Sequence, residues 1–552
     1  MIKEYTIPAF LKESITKYAN NTSLVYAGED NYTYSQMGDD VMKVAALLKK
    51  LGIKKYDKVA ILSSNMPNWG VAFYAIEWIG ATAVPILPDF HPNEIQSIIE
   101  HSESKLLFIS ESLYRNINSA TLQLLNDIIL LDTFSLLAEK NPENFVVEEG
   151  NSFRELEKEE VPEKINEEDL ATIIYTSGTT GNSKGVMLTH KNVVWTAEKS
   201  ITFQFIDDKD RFLSVLPLSH TFENTLGFLF PTLYGASVHY LRKPPVASVL
   251  LPALKKVKPT IMLVVPLIIE KVFKTKIYPE FQKSSLTRFL YSIPVMRKVL
   301  HRIAGKKLYE TFGGKLRFFG IGGAKLDGTV ERFLLEGKFP YAIGYGLTET
   351  SPLLAGAVGK NIRLGSTGIA LEGVQLRLGN ADLSTGEGEI QAKGPNVMKG
   401  YYKAPEITQE VFTEDGWFKT GDRGWFDKDN FLFIKGRIKT MIVGASGENI
   451  YPEEIESVIN KMRFVLESLV VEKKGKLVAM VHLNMEEVEQ QFKHLKEEAN
   501  QYFQDKIDEI LKEIHKKVND ELNKFSRLQA IVLQPTPFEK TPTKKIKRFL
   551  YG

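Results

Sequence analysis

The sequence predicts an α/β protein: a large N-terminal domain of two doubly wound βα subdomains and a small β-rich subdomain, followed by a small α+β C-terminal domain. Apolar runs typical of buried strands alternate with segments of helical periodicity in the N-terminal part of the chain. The alternation resumes at about Thr172, and from Gly365 it gives way to short strands and turns. Alternating strands and helices indicate parallel sheets covered on both faces, where ligands bind at the carboxyl ends of the strands.

Four strands are predicted in the first βα subdomain, with room for one crossover helix between successive strands. The segment between Ser35 and Leu51 predicts a helix, because its apolar residues recur at steps of three and four, with Ser35 as N-cap and Gly52 as the stop. The four strands begin at Lys58, Ala83, Lys105 and Ile128.

The second subdomain has predicted strands at Val215, Thr260 and Leu316. The uncharged stretch from Asn224 to Leu241 contains proline and glycine, and we interpret it as buried core rather than a membrane-spanning helix. Near the C-terminus, the Lys- and Glu-rich segment from Met485 to Lys524 predicts an amphipathic helix. The N-terminal residues lack the apolar core of a secretory signal, so we expect a cytoplasmic protein.

The composition excludes several classes of protein. Of the 552 residues, 43% are hydrophobic and 25% charged, as in ordinary folded proteins and unlike disordered chains. The net charge of +2 is too small to hold a nucleic acid backbone, so no nucleic acid partner is expected. The absence of cysteine excludes disulfides, cysteine zinc sites and a cysteine nucleophile, and favours a reducing compartment. Any thiol in the chemistry must therefore arrive with a substrate.

The segment YTSGTTGNSKG, from Tyr175 to Gly185, has the composition of a phosphate-binding loop. Its glycines allow close backbone approach, its hydroxyls and N–H groups can donate to phosphate oxygens, and Lys184 adds a positive charge. It is not a Walker A loop, because Ser183 stands where that pattern requires glycine. A Ser- and Gly-rich surface loop is the plain alternative, but hydroxyls, spaced glycines and a lysine between strand-like runs favour phosphate binding.

This loop resembles the signature of the adenylate-forming superfamily, which includes the acyl-CoA ligases. Four further segments match in order: GYGLTET at Gly344, GYY at Gly400, GWFKTGD at Gly416 and GRIKTMIVGASGENIYPEEIE at Gly436. The resemblance spans nearly the whole chain. It implies a large adenylating domain (1–435), a hinge (436–439) that includes Lys439, and a small mobile domain (440–552).

The resemblance also implies the nucleotide site. Glu349 would hold Mg²⁺, Thr348 would donate to the α-phosphate, Asp422 would bind the ribose hydroxyls, and Arg437 would reach the ribose and α-phosphate. Taken alone, Glu349 would be a solvated surface carboxylate, and Asp422 could cap an Asx turn. The remaining residues implied to bind ATP are Thr176, Ser177, Gly178, Thr179, Thr180, Lys184, Gly323, Ala324, Lys325, Gly344, Tyr345 and Gly346.

The basic tail KTPTKKIKR, from Lys540 to Arg548, would by itself be a solvated charge run. It resembles the family motif in which one lysine enters the active site for adenylation. Alignment on Ile546 and Arg548 selects Lys545 as that catalytic residue. Lys544 stands where family members mostly carry glycine, so the choice between the two lysines is open.

For the second half-reaction, the resemblance implies that the small domain rotates about Lys439. Rotation withdraws the tail lysine and presents the loop from Gly444 to Gly447, beside Glu448. The segments LPLSHTFEN, which contains His220, and VVPLIIEKVF resemble the long-chain acyl-CoA ligase branch, where they border an acyl tunnel. Each could equally be ordinary core packing.

We therefore expect an ATP-dependent fatty acid–CoA ligase, of long-chain type by resemblance, that uses ATP, Mg²⁺ and coenzyme A. Three alternatives stay open: transfer to acyl carrier protein or another acceptor, a kinase or phosphohydrolase using the same loop, and a non-catalytic fatty-acid or nucleotide-binding protein. The basic, apolar segment from Lys274 to Lys307 is either a solvated helix pair or a contact with the inner face of a membrane.

Overall fold

Two eight-stranded sheets form the framework of the protein in the computed structural model, which describes residues 4–141, 146–147, 152–176, 183–443, 449–473, 475–491, 500–541 and 545–552. The chain divides into two units. The first comprises Met1–Leu376, Ala392–Phe418 and Asn430–Leu432, and the second comprises Arg377–Gln391, Lys419–Asp429 and Phe433–Gly552. The α/β fold class predicted from the sequence is confirmed.

The strands are short and follow the predicted alternation with helices. In chain order they are β1 (Leu24–Tyr26), β2 (Lys58–Leu62), β3 (Thr82–Ile86), β4 (Ser104–Ile109), β5 (Asp127–Leu130), β6 (Ser135–Leu136), β7 (Leu170–Thr176), β8 (Lys184–Thr189), β9 (Arg211–Ser214), β10 (Ser237–Tyr240), β11 (Ile261–Val264), β12 (Phe318–Ile321), β13 (Tyr341–Tyr345), β14 (Ala355–Val358), β15 (Ile369–Ala370), β16 (Gln375–Gly379), β17 (Gly388–Lys393), β18 (Gly400–Tyr401), β19 (Phe418–Phe426), β20 (Leu432–Arg437), β21 (Ile442–Val443), β22 (Asn449–Ile450), β23 (Val465–Lys473), β24 (Lys476–Leu483) and β25 (Ala530–Leu533).

The helices fall between these strands. They are α1 (Ile7–Lys17), α2 (Tyr34–Lys50), α3 (Pro67–Trp78), α4 (Pro92–Ser102), α5 (Glu111–Tyr114), α6 (Ser119–Gln123), α7 (His190–Lys199), α8 (Phe230–Leu233), α9 (Ala247–Val257), α10 (Pro266–Val272), α11 (Tyr278–Gln282), α12 (Ser285–Ser292), α13 (Pro294–Thr311), α14 (Gly328–Glu336), α15 (Pro405–Glu410), α16 (Pro452–Ile459), α17 (Met485–Gln491) and α18 (Asn500–Glu521). Two π-helical turns, Glu223–Leu229 and Phe273–Ile277, continue into α8 and α11.

The first unit holds both large sheets. One has the order β1-β10-β9-β11-β12-β13-β14-β15, parallel from β1 to β13 and antiparallel beyond. The other has the order β18-β8-β7-β3-β2-β4-β5-β6, with a parallel centre and antiparallel edges. In both sheets the strand order is not the chain order, as expected of doubly wound folds whose strands are joined by crossover helices.

Apolar side chains account for the packing of the first unit. The central strands and α3 are buried on all sides, with the fully buried rings of Trp69, Phe73 and Phe228 in mutual contact. The stretch from Asn224 to Leu241 lies in this core, which confirms its interpretation as buried chain. Among the described residues, no helix has both the length and the apolar character needed to cross a bilayer.

Two local predictions were wrong. The N-cap of α2 is Thr33, not Ser35, because Thr33 and Gln36 form a reciprocal capping box that satisfies two exposed N–H groups. The strand predicted from Val215 lies earlier, since β9 ends at Ser214 and the apolar residues that follow belong to a turn.

The second unit contains an antiparallel-rich part and a helical part. Most of β16, β17, β19 and β20, paired in that order, belongs to it, together with the three-stranded sheet β23-β24-β25. Helices α16 and α18 cover the latter sheet and bury Ile455, Ile510 and Val518. The predicted amphipathic helix is thus realised as α17 and α18 within the described residues. The boundary predicted at residues 436–439 stays a prediction.

A buried imidazole should make the stability of the first unit depend on pH. His190 is 1% exposed, its Nδ1 accepts the backbone N–H of Ile7 at 3.3 Å, and its Nε2 lies 3.4 Å from the buried Glu77 carboxyl. Burial lowers the pKa of His190 to about 3. The folded pKa lies below the unfolded value, so the stability due to neutral His190 is complete above about pH 6.5 and is lost as the pH falls towards 3.

We expect the unfolding free energy of the wild type, relative to His190→Asn, to fall by about 1.4 kcal/mol per pH unit between pH 6 and 4. Urea unfolding at a series of pH values measures this difference. The matched control is His91→Asn, which replaces an exposed histidine that caps α4 and should leave the two profiles parallel. Parallel profiles for His190→Asn itself would contradict the assignment.

Candidate functional site

The predicted phosphate-binding loop connects two antiparallel neighbours in the second large sheet. Thr176 ends β7 and Lys184 begins β8, and the two residues are paired across the strands. Ser177, Gly178, Thr179 and Thr180 lie outside the described residues. The two described ends of the loop therefore lie opposite each other in the β7–β8 pair, and Lys184 is the first described strand residue after the loop.

The base of this loop is held by packing that requires a glycine. A Cβ on Gly185 would lie 2.9 Å from Ile173 and 3.2 Å from the ring of Tyr175, both on the paired strand. The Tyr175 hydroxyl is 2.7 Å from Nδ1 of His101, whose ring packs edge-on against Tyr402. The ring of Tyr175 thus packs over Gly185, and its hydroxyl is held by His101.

Tyr401 connects the loop with the GYGLTET segment. Its hydroxyl donates to Oε1 of Glu349 at 2.8 Å, and the Lys184 ammonium lies 5.1 Å from the centre of its ring, within the range of a cation–π contact. The backbone is joined as well, because Tyr401 pairs with Val186 and the N–H of Met398 donates to the Glu349 carbonyl at 2.9 Å. Three motifs that are far apart in the chain therefore meet at one tyrosine.

Sequence reasoning missed Tyr401 as a site residue. The GYY segment was recognised as a motif but no side chain in it received a role. The available signal was the position of a tyrosine within a matching motif, and nothing in the sequence indicated that its hydroxyl and its ring face different partners.

Glu349 lies in a short turn at the carboxyl end of β13. Thr348 and Glu349 are half-buried in a 3₁₀ turn, Thr348–Thr350, and their side chains are not sealed in the core. Gly346 precedes the turn, and a Cβ there would lie 1.6 Å from the carbonyl oxygen of Pro352, so only glycine fits. The buried amide of Asn396 donates to the Leu353 carbonyl at 2.7 Å and steadies the far side of the turn.

The segment Gly323–Lys325, which the resemblance implies binds ATP, adjoins this turn. Strands β12 and β13 are parallel neighbours, so their carboxyl ends lie side by side, and a Cβ on Gly322 would be 3.6 Å from the Gly344 carbonyl. Gly323, Ala324 and Lys325 are exposed just beyond β12, and Gly323 has a positive φ of 86° that favours glycine. The structure thus brings the predicted Gly323–Lys325 and Gly344–Gly346 segments to one edge of a sheet.

A narrow apolar cavity of about 50 Å³ lies beneath these glycines. Gly344 and Leu263 form part of its lining, together with Phe222 from the predicted LPLSHTFEN segment and Leu226 just beyond it. Phe203, another lining residue, lies over Gly356, where a Cβ would be 2.9 Å from its ring.

The other residues predicted near the acyl path lie away from this lining. His220 is half-buried, and its Nδ1 accepts the backbone N–H of Phe222 at 3.2 Å. Of the VVPLIIEKVF segment, Val264, Ile269 and Phe273 are buried in the core around α10 and α14. Leu263, immediately before that segment, is the residue that reaches the cavity.

A buried acid stands behind the cavity and was not predicted. Glu223 begins the π-helical turn and is 2% exposed, and burial raises its pKa to about 8. Its carboxyl folds back over Gly227, where a Cβ would lie 2.6 Å from the carboxyl carbon. A neutral carboxyl and a glycine thus form the inner side of the turn that carries Phe222 and Leu226.

Asp422 and Arg437 both lie in the second unit and form an ion pair. Nε of Arg437 is 2.8 Å from Oδ1 of Asp422, and Nη1 also donates to the Thr420 carbonyl at 3.2 Å. Asp422 is 5% exposed, whereas the Arg437 side chain is largely accessible. The pair matches two residues that the resemblance assigned to the same ribose, and a carboxylate held in this way still has acceptor capacity.

The predicted hinge residue Lys439 is exposed in a 3₁₀ turn, Ile438–Thr440, directly after β20. The hydroxyl of Thr440 donates to Oε1 of Glu453 at 2.7 Å. Gly444, Gly447 and Glu448, assigned to the thiol step, lie outside the described residues.

The basic tail is anchored on the second unit by the two residues used for its alignment. Arg548 pairs with the buried Glu456 on α16, and burial raises the pKa of Glu456 while Arg548 opposes that rise. Ile546 packs against a small cluster that contains Leu469 and Phe538. Lys545, directly before Ile546, is exposed, and Lys544 lies outside the described residues.

Comparisons with known proteins identify the family of the chain. The sequence profile of the AMP-binding enzyme family matches residues 11–402. The long-chain-fatty-acid–CoA ligase heimdall of Drosophila melanogaster is 30% identical over 499 residues, 83% of this chain and 72% of that protein. The chloroplastic long-chain-fatty-acid–[acyl-carrier-protein] ligase AEE15 of Arabidopsis thaliana is 27% identical and covers 98% of this chain and 84% of its own.

Among solved structures, the anthranilate CoA ligase AuaEII in complex with anthranoyl-AMP shares the fold, with a TM-score of 0.79 at 22% identity and coverage of 100% of this chain and 97% of that one. The family match covers well over half of the chain and contains the phosphate-binding loop, Glu349 and Tyr401. On these grounds, the protein belongs to the AMP-binding enzyme family.

Proposed function

We propose that the protein is an ATP-dependent fatty acid–CoA ligase of long-chain type that works through an acyl-AMP intermediate. The observation that carries the proposal is the contact of Tyr401 with both Lys184 and Glu349, because it places the cation of a phosphate-binding loop and a carboxylate suited to a metal at one point. Curated relatives named as long-chain-fatty-acid–CoA ligases support the choice of reaction.

The first half-reaction joins the fatty acid to AMP. A carboxylate oxygen of the acid attacks the α-phosphorus of ATP, the new P–O bond forms, and the bond to the β-phosphate breaks to release pyrophosphate. Two anions must approach each other, so Lys184 and Lys545 would offset their repulsion and stabilise the transition-state charge. Thr348 would donate a hydrogen bond to the α-phosphate, and Asp422 with Arg437 would orient the ribose.

The residues present fit a magnesium ion. Glu349 offers a half-buried carboxylate whose Oε1 already accepts a hydrogen bond from Tyr401, so one oxygen is oriented and the group keeps further acceptor capacity. Mg²⁺, bound through Glu349, would neutralise part of the phosphate charge.

The second half-reaction transfers the acyl group to coenzyme A. The thiol sulfur attacks the acyl carbon and loses its proton to solvent, the C–S bond forms, and AMP leaves as the mixed anhydride breaks. Lys545 has to withdraw for this step, and rotation of residues 440–552 about Lys439 relative to residues 1–435 would accomplish it. The chain supplies no cysteine, so the thiol belongs to the substrate.

The substrate class rests on the apolar cavity and on the relatives. The cavity adjoins the glycines of the proposed nucleotide wall and is lined by apolar side chains, as an acyl chain requires. Acyl carrier protein is the alternative acceptor, since one curated relative carries that name. Peripheral contact with the inner face of a membrane belongs to the same proposal, because long-chain acids partition into lipid.

A panel of carboxylic acids, scored by release of pyrophosphate with and without coenzyme A, tests the proposal. We expect AMP and pyrophosphate, formed only when acid is supplied, and transfer of ¹⁸O from labelled carboxylate to AMP. Acyl carrier protein offered in place of coenzyme A separates the two acceptors. ADP as product would assign a kinase, and binding without turnover would assign a non-catalytic carrier.

Lys545→Ala should slow adenylation far more than thioester formation. We expect about a hundredfold loss of acid-dependent pyrophosphate release, because one charge contact in the transition state is removed. Thioester formation from supplied acyl-AMP should be nearly unchanged. The matched control is Lys547→Ala, two residues further along the tail. Equal loss in both half-reactions would contradict alternation of the small domain.

Glu349→Gln should raise the Mg²⁺ concentration needed for half-maximal adenylation by roughly tenfold or more, because a neutral amide is a poor ligand for a hard cation. Tyr401→Phe removes only the hydroxyl that donates to Glu349, so we expect a smaller shift in the same direction. Initial rates over a Mg²⁺ titration measure both. An unchanged response to the metal in Glu349→Gln would remove this residue from the metal site.

A further inference from the structure

Helices α12 and α13 expose an apolar face that the proposed reaction does not use. In α12 the side chains at Leu286, Phe289 and Leu290 fall on one stripe, since residues three and four apart share a helix face. Leu286 and Phe289 are 65% and 63% exposed, and no residue of α12 is buried. The apolar stripe of this amphipathic helix therefore faces solvent rather than the core.

The stripe continues on α13. Val295, Val299 and Ile303 lie at successive steps of four and are 70%, 44% and 65% exposed. Leu286 and Phe289 on α12 and these three residues on α13 are exposed apolar side chains on two consecutive helices, and we call them the α12–α13 face. Clustered exposed apolar residues of this kind mark interaction surfaces, whereas single ones are ordinary.

The opposite side of α13 is firmly packed, so this exposure is not the result of a loose helix. Nδ1 of His301 lies 2.8 Å from the Glu336 carboxylate, and Arg297 donates to the same group at 2.9 Å. Gly305 meets α14 at such short range that a Cβ there would be 2.6 Å from the carbonyl of Gly337. The outer face is thus presented by a helix whose inner face is fixed.

Basic residues far outnumber acidic ones in this segment, which the exposed Glu280 and Glu310 flank. Residues 281–309 contain no Asp or Glu and seven Lys or Arg. Of these, Arg297 pairs with Glu336 and Lys283 pairs with Glu280. On α13 the exposed Lys298, Arg302 and Lys306 are also spaced four residues apart. They form a basic row next to the row of exposed apolar residues on the same helix. The full basic set is Lys283, Arg288, Arg297, Lys298, Arg302, Lys306 and Lys307.

We propose that the α12–α13 face docks on an anionic lipid surface, with both helices lying in the interface. Basic side chains interleaved with Leu, Phe, Val and Ile suit headgroup phosphates and the acyl boundary together, whereas a protein groove would have to match both patterns at once. The α13 axis, about 27 Å long, can lie parallel to the membrane plane. This inference rests on the proposed function only in that long-chain acids are held in lipid.

The test is co-sedimentation of the full-length protein with vesicles of phosphatidylcholine and phosphatidylglycerol, compared with vesicles of phosphatidylcholine alone. We expect stronger binding to the anionic vesicles and its loss at high salt, because surface charges are screened. The double substitution Lys298→Glu with Arg302→Glu should reduce the partition coefficient of the protein onto anionic vesicles by roughly tenfold or more. Leu286→Ser with Phe289→Ser should weaken binding to a similar degree.

The matched control is Lys512→Glu with Lys516→Glu, which reverses two exposed lysines at the same spacing on α18. It should bind as the wild type does. Circular dichroism and unfolding midpoints show whether each variant is folded. Turnover of a short, water-soluble acid, measured without vesicles, should stay at the wild-type level in every variant.

Binding that is equal for neutral and anionic vesicles, or that survives both double substitutions, would overturn the proposal. A loss of self-association in the α12–α13 variants with unchanged vesicle binding would also overturn it and assign the face to a second copy of the chain. Vesicle binding without activation of any fatty acid would leave the docking surface supported and would instead contradict the proposed ligase function.

Discussion

The site depends on the two contacts of Tyr401. One short strand, β18, extends the sheet beside β8, and this pairing places a single aromatic side chain between Lys184 and Glu349. Without bound nucleotide, a lysine and a carboxylate at such a site would attract each other and could close it. A ring that attracts the ammonium and a hydroxyl that binds the carboxylate keep both groups oriented but apart, which is the preorganisation that charge stabilisation in a transition state requires.

Backbone packing supports the same geometry. Gly185 and Gly346 are required by close contacts within the protein, one with the ring of Tyr175 and the other with the carbonyl of Pro352. Glycine in these motifs therefore serves the fold that shapes the site. A larger side chain at Gly346 would move the turn that carries Thr348 and Glu349, since its Cβ would meet backbone that cannot rotate away.

Much of this arrangement could be predicted from the sequence. The strands near Lys58 and Lys105 could be predicted from runs of apolar residues, because a strand that is buried on both faces is apolar along most of its length. Tyr401, Glu223 and the anchoring role of Arg548 could not be predicted, because each depends on a partner at least 50 residues away or on a turn whose geometry has no sequence pattern. Motifs identify residues that matter, but only the fold shows which of their atoms face each other.

The cavity constrains how the proposed substrate could enter. A volume of about 50 Å³ is well below the roughly 150 Å³ that admits one benzene ring, so an acyl chain requires the lining to move. Phe203 and Phe222 are the mobile candidates, because they lie over Gly356 and Gly322 and no side chain beneath holds them. Phe222 is carried by a π-helical turn whose inner side is the neutral Glu223 folded over Gly227. A turn of this kind closes i→i+5 hydrogen bonds and is frequent at functional sites. The width of the acyl path would then be set by this turn, behind the lining, rather than by the lining residues alone.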